Sequence, residues 1–204
     1  MSKYKMEDKI YNGKTLKGYY MKDKEIEVKF IITPEIKSLI IKDLCKDTKE
    51  IVESRQIDTY YIPDFRDFEV DGETMECVRI RQTSEATVLA YKRIHRECCP
   101  IYCDEYEVRI EDKNNMEKIL FALGFKIQME IDKTRTSFKY ENFEFDFDSV
   151  KGLGELLEVE LKDDDASLDA IFDLVSKYGL SKKDVTYEGI QMLMKKAGVA
   201  SREP

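Results

Sequence analysis

Apolar and polar positions alternate along much of this chain with a period of two, the spacing of strands whose two faces differ. From Glu25 to Ile31 charged and apolar residues take turns, and the same alternation recurs further on. It predicts strands over 25–31, 56–62, 76–83, 86–93, 103–111, 125–131, 134–140, 142–148 and 155–162. Pro63 ends the second of these, and Ser84-Glu85 is the turn of a hairpin. Helical spacing intervenes four times. Thr33-Pro34 supplies an N-cap and a proline at the first helical position. Ile36, Leu39, Ile40 and Leu44 then follow at helical intervals, predicting a helix to about Arg55. Asn114 heads a second helix with Met116, Ile119, Leu120 and Leu123, ended by Gly124. Leu168, Ile171, Phe172 and Val175 mark a third, closed by Gly179, and a last helix covers 187–196.

In residues 1–20 apolar positions are sparse and aperiodic, and lysines outnumber acids. This stretch is expected to be a flexible N-terminal arm, with residues 21–200 forming one domain. No repeat, low-complexity tract or long linker divides the rest. The class expected is α+β, dominated by antiparallel strands.

Composition sharpens this picture at one point. Of 204 residues, 42% are hydrophobic and 11% aromatic, enough for a core. Charged residues reach 37%, well above the usual quarter, with a net charge of −8. That sign argues against non-specific binding to nucleic acid or an anionic membrane. There is no run of 18 apolar residues to span a bilayer. The first 20 residues hold no apolar signal core. Five cysteines (Cys45, Cys77, Cys98, Cys99 and Cys103) without a leader fit reduced thiols, so a cytoplasmic location is expected.

The excess charge sits on one face of strand after strand. Glu25, Glu27 and Lys29 share a face, as do Arg79 and Arg81, then Glu105, Glu107 and Arg109. Lys133 pairs in this way with Arg135, Glu144 with Asp146 and Asp148, and Glu158 with Glu160. Any one strand of this kind is an ordinary sheet with a solvated side. Many together, with three apolar helices available to cover the opposite face, point to a sheet closed into a barrel with its charges inside. Crowded carboxylates must protonate or bind cations, and hard oxygen ligands suit Mg²⁺ or Mn²⁺. Clustered Arg and Lys suit phosphate. The two together equip a site for phosphoanhydride chemistry. No Gly-rich phosphate loop is present.

Those residues, in that order, resemble the CYTH domain, also called the triphosphate tunnel metalloenzymes. The family includes class IV adenylyl cyclases, thiamine and inorganic triphosphatases and, more distantly, fungal and viral RNA triphosphatases. Its Glu-x-Glu-x-Lys matches Glu25, Glu27 and Lys29, and its Arg-x-Arg matches Arg79 and Arg81. Its lysine after an aromatic matches Tyr91-Lys92, its Glu-x-Glu matches Glu105 and Glu107, and its Lys-x-Arg matches Lys133 and Arg135. Its Asp-x-Val-x-x-Leu-Gly matches Asp148, Val150, Leu153 and Gly154, and its closing Glu-x-Glu matches Glu158 and Glu160.

The resemblance implies a closed eight-stranded antiparallel barrel, a triphosphate tunnel with a charged lumen and helices packed on the outside. It implies that Glu25, Glu27, Glu158 and Glu160 hold Mg²⁺ or Mn²⁺. Arg79, Arg81, Lys92, Lys133 and Arg135 would bind phosphate. Lys29 and Asp148 are the catalytic candidates, and Glu105 and Glu107 give support. The partner expected is a small-molecule triphosphate, with no membrane and no nucleic acid; a homodimer is left open. The His-Phe that class IV cyclases carry before the first strand is replaced by Tyr19-Tyr20. This ranks hydrolysis of a small triphosphate first and cyclisation of ATP second. An RNA 5′-triphosphatase comes third because of the net negative charge. A binding module without turnover is the alternative of a different class. His95, Cys98, Cys99 and Cys103 could be read as zinc ligands, but a hairpin loop with reduced thiols fits their spacing better.

Overall fold

The computed structural model describes residues 4–11, 14–21, 24–46, 51–95, 102–162 and 168–199; for residues 4–26 and Tyr102 only the backbone is described. The chain runs through strands β1 (Tyr4–Tyr11), β2 (Lys14–Met21) and β3 (Lys24–Ile32), helix α1 (Pro34–Leu44), and β4 (Ile51–Pro63). Short strands β5 (Glu69–Val70) and β6 (Glu73–Thr74) precede β7 (Glu76–Gln82), β8 (Thr87–His95) and β9 (Tyr102–Ile110). Helix α2 (Lys113–Ala122), β10 (Phe125–Tyr140), β11 (Phe143–Val150) and β12 (Gly154–Leu161) follow. Helix α3 (Leu168–Ser176), strand β13 (Val185–Thr186) and helix α4 (Ile190–Lys196) complete it.

This is an α+β fold with one large, mostly antiparallel, strongly curled sheet and four helices. Its order is β12-β11-β10-β4-β7-β8-β9-β3-β13, and β12 also pairs with β3. The β3–β12 ladder runs from Ile26 to Ile32, whereas β3 meets β9 only at Lys24 and Glu25. Beyond that two-residue seam, β13 pairs with Phe30 and Lys29. β1 and β2 pair with each other in a separate hairpin.

The apolar side of most strands faces outward under helices, as the alternation predicts, whereas Tyr106 and Val108 on the outer side of β9 are exposed. Val28, Phe30, Phe145, Phe147, Leu157 and Val159 are buried with Ile40 and Leu44 of α1 and Ile171 and Val175 of α3. The Phe138 ring stacks on Phe145 and Phe147 at centroid distances of 5.1 and 5.8 Å. Around β4 and β7, Tyr61, Val78 and Ile80 pack with Leu120 of α2 and with Phe68.

Several expected elements differ in extent. The helix expected to reach Arg55 ends at Leu44, and Ile51–Arg55 instead begins β4, where these residues pair with Thr134–Phe138 of β10. Long-range pairing overrides helix propensity there. The two strands expected over 125–140 are one strand of 16 residues, bent by a register shift between Ile127 and Met129. Asp112 rather than Asn114 caps α2, its side chain accepting from the Asn115 N–H at 3.0 Å. The Thr33 cap and Pro34 start of α1 are as expected.

Helix α4 is the main departure. Ile190, Gln191, Met192, Leu193 and Met194 are all buried, so this is no surface helix with one packed stripe. It lies against the concave side of the sheet, where Tyr60, Met129, Ile131, Val150 and Leu156 pack on Ile190, Leu193 and Met194. Apolar residues therefore form a floor at one part of the concave face and leave the rest to charge. Replacing Phe145, which is fully buried between the stacked rings and the helices, by alanine should cost about 3–5 kcal/mol of unfolding free energy in denaturant titration.

Candidate active site

The concave face borders a cavity of about 320 Å³. Its basic lining consists of Lys29, Arg79, Arg81, Lys92, Lys133 and Arg135. Carboxylates at Glu27, Glu105, Glu107, Glu144, Asp146, Glu158 and Glu160 complete the charged part, and residues 186–191 border it on the α4 side.

Strand register explains the convergence. Asp58 is opposite Arg81, Lys92 opposite Glu105, Asp148 opposite Arg135, and Glu158 opposite Lys29. Most of these positions alternate with an outward apolar one, while Arg135 lies between Thr134 and Thr136, so the pleat that builds the outer core also aims these groups inward.

Two buried carboxylates organise the cations. Asp58, 0% exposed, accepts from Arg81 Nε and Nη2 at 2.7 and 2.8 Å, with Arg79 and Lys133 each 3.9 Å away. Burial opposes its charge, but these cations outweigh the penalty and hold its carboxyl well below the usual range. Asp148, also 0% exposed, accepts from Lys133 Nζ at 2.6 Å and from Arg135 Nε and Nη2 at 2.7 and 2.6 Å. Arg135 further donates to Asp146 at 2.5 Å and to Glu158 at 2.6 Å. Burial, with the Arg135 guanidinium adding repulsion, pulls Lys133 down to about 8 despite Asp148. Nearer β9, Lys92 lies 2.6 Å from Glu105, and Arg79 lies 3.6 Å from Glu105 and 3.4 Å from Glu107. Among the described residues the buried Nε of Arg79 has no hydrogen-bond partner.

A different arrangement holds where β3, β12 and β11 meet. Glu27 is opposite Glu160, and Glu160 is opposite Glu144, so three carboxylates form a row. Burial pushes the Glu160 carboxyl up, and Glu144 and Glu27 push it further, against the nearby Lys162 ammonium. Lys162 lies 2.8 Å from Glu144 and 2.5 Å from Glu160. Glu158, by contrast, is held by Lys29 at 2.9 Å as well as by Arg135. Burial disfavours its charge, yet these cations keep it well below the ordinary carboxylate range.

Most residues singled out in the sequence thus line one cavity. Asp148 does not; it lies behind the wall, holding Lys133 and Arg135. The Glu25 backbone is placed on β3, opposite Cys103. Among the described residues no three His, Cys, Asp or Glu side chains already converge as metal ligands. Asp58, Glu144, Asp146 and Lys162 are site members to which the sequence assigned no role. Asp58 was legible in the Gln56-Asp58-Tyr60 alternation, whereas Lys162 required the register. Of the zinc candidates, His95 bonds Asp104 at 2.8 Å, while Cys103 lies on the cavity side; Cys98 and Cys99 are outside the described residues. Adjacent positions on the paired strands place His95 and Cys103 on opposite faces. Among the described residues no helix is long and apolar enough to cross a membrane.

Residues 23–188 match the CYTH domain, and the chain belongs to that family. A Methanocaldococcus jannaschii protein named "Putative adenylate cyclase" is 32% identical over 166 residues, covering 78% of this chain and 93% of that one. The solved PH1012 protein of Pyrococcus horikoshii superposes with a TM-score of 0.69 at 25% identity, over 83% of this chain and 98% of that one. HpAC1 from Hippeastrum, described as a "putative adenylyl cyclase" that "reveals a dominant" triphosphatase activity, shares the fold. Its TM-score is 0.60 at 13% identity, over 88% and 97% of the two chains.

Replacing Asp58 by alanine strands two arginines and a lysine without their shared anion. It should destabilise the protein by about 3–5 kcal/mol. Because the Asp58 carboxyl is depressed in the folded state, its stabilisation is present above the unfolded value near 3.8 and is lost as pH falls below it. Acid titration of unfolding should therefore show a shallower loss below about pH 4 in Asp58→Asn than in the wild type.

Proposed function

We propose that the protein is a divalent-metal-dependent hydrolase of a small triphosphate, and that its curled sheet works as a closed, eight-stranded tunnel with a charged lumen. The observation that carries this reading is one cavity with arginines and lysines on one wall and the carboxylate row of Glu27, Glu160 and Glu144 on another. Arg79, Arg81, Lys92, Lys133 and Arg135 would bind phosphate oxygens and offset charge that develops as the phosphoanhydride bond breaks. The orphaned Nε of Arg79 supports this, since a buried donor without a partner is satisfied by an anion. Asp58 and Asp148 fix the guanidinium planes in place before substrate arrives, a positioning role that lowers the cost of ordering them on binding.

The oxygen donors of Glu27, Glu160 and Glu144, with Glu25 on the same strand as Glu27, fit Mg²⁺ or Mn²⁺. The push of burial and like charge on Glu160 supports the fit, because a cation in that row relieves it. When bound, such a cation supplies charge neutralisation at the triphosphate and Lewis acidity. Lys29, held between Glu158 and Glu27, orients those carboxylates and lies close enough to the cavity to reach a phosphate. Glu158, held by Lys29 and Arg135, acts in this reading by fixing those two cations. Glu105 and Glu107 hold Lys92 and Arg79.

Cyclisation of ATP is the second reading, favoured by the name of the 32% identical relative. Fold alone does not choose between the two. The deciding experiment supplies inorganic triphosphate, ATP and thiamine triphosphate with Mg²⁺ and then Mn²⁺, and measures phosphate, pyrophosphate and cyclic AMP. Phosphate without cyclic AMP supports hydrolysis. Cyclic AMP with matching pyrophosphate replaces it with cyclisation. Ligand-induced stabilisation without any product leaves a binding module. Glu27→Ala and Glu160→Ala are each expected to lower turnover at least about 100-fold with an unchanged metal-free melting profile. Full activity in either would remove these residues from the site.

A further inference from the structure

Lys162 follows the last residue of β12, and its backbone N–H donates to the Asn142 carbonyl at 2.9 Å. This bond ties the lysine to the β10–β11 turn. Two residues beyond Glu160, it shares the face of that carboxylate. Its ammonium bridges two neighbouring members of the row, 2.8 Å from Glu144 Oε2 and 2.5 Å from Glu160 Oε2.

The other described cations that pair with strand carboxylates of the cavity are less exposed, Lys92 at 22% the most so. Lys29, Arg79 and Arg135 have side chains 13%, 9% and 13% exposed, and each meets two or more carboxylates. Lys162 is 41% exposed on a flexible stem, so its head can leave for water at small cost.

We propose that Lys162 is a tethered counter-cation that occupies the carboxylate row and competes with the divalent metal for it. The inference rests on the metal reading of Glu27 and Glu160 given above. An oxygen of Glu160 that accepts from an ammonium at 2.5 Å is closed to a cation on the same lone pair. The departure of the lysine head frees that oxygen and releases Glu144 as a further donor. Lys162 thereby sets metal affinity below what the three carboxylates alone would give. It also keeps the row from repelling itself when no metal is bound.

The test is calorimetric titration of Mg²⁺ and Mn²⁺ into the full chain without substrate, paired with melting in chelator and in metal. Lys162→Met should bind either metal about tenfold more tightly than wild type. It should also melt lower in chelator and show the larger metal-induced rise. Lys162→Arg keeps the charge and should stay within about threefold of wild type. Equal or weaker binding by Lys162→Met overturns the competition, as does an arginine variant that binds as tightly as the methionine one. Glu27→Ala separates the two levels of inference. If wild type and Lys162→Met bind no metal, or Glu27→Ala binds as wild type does, the metal reading falls and the competition falls with it.

Discussion

A charge taken out of water must be answered at short range, and on the concave face of this sheet that requirement governs almost every side chain. Asp58 and Asp148 are wholly buried and stay ionised only because arginines and lysines surround them. The cations in turn stay put because of those carboxylates. Neither set is tolerable alone, since an unpaired buried ion costs several kcal/mol. The pairs sit at matched register positions on neighbouring strands, so a slip of one residue would turn charges onto the helices and phenylalanines onto the cavity. Electrostatics and packing therefore specify the same register.

Compensation is fuller in one part of the cavity than in another. Around Arg135, three carboxylates meet one guanidinium that is oriented by several hydrogen bonds. Around Glu160, one exposed lysine serves two carboxylates while Glu27 adds to the crowding. The first arrangement holds its guanidinium firmly in place. The second leaves its cation partly in water.

Much of this was legible from alternation alone. Period two sorted Arg79 from Val78 and Glu158 from Leu157, and the helices needed to cover the apolar side were visible at their own period. The misreadings have physical causes. Residues 51–55 carry no strong strand signal, and their conformation comes from partners on β10 that are distant in sequence. The last helix was visible as a helix, but periodicity does not reveal that Ile190–Met194 of so short a segment are all buried. Asp148 belongs to a recognisable motif, but its position behind Lys133 and Arg135 depends on which rotamers the pairing selects. Gly154, at the end of that motif, was readable for a local reason: its φ of +119° is one that side chains rarely adopt.

The position of α4 in the chain bears on how the protein is made. Every strand it packs against is synthesised before it, and β13, which pairs with the first strand of the large sheet, also comes late. On a ribosome the sheet can curl while its concave side is still open. Because most of that side is charged, the unfinished domain shows water a polar hollow with a small greasy patch at Met129, Ile131, Val150 and Leu156. Nascent domains aggregate through exposed apolar surface. A fold that keeps its large apolar cores under α1, α2 and α3 leaves its last helix only this concave patch to cover as synthesis is completed.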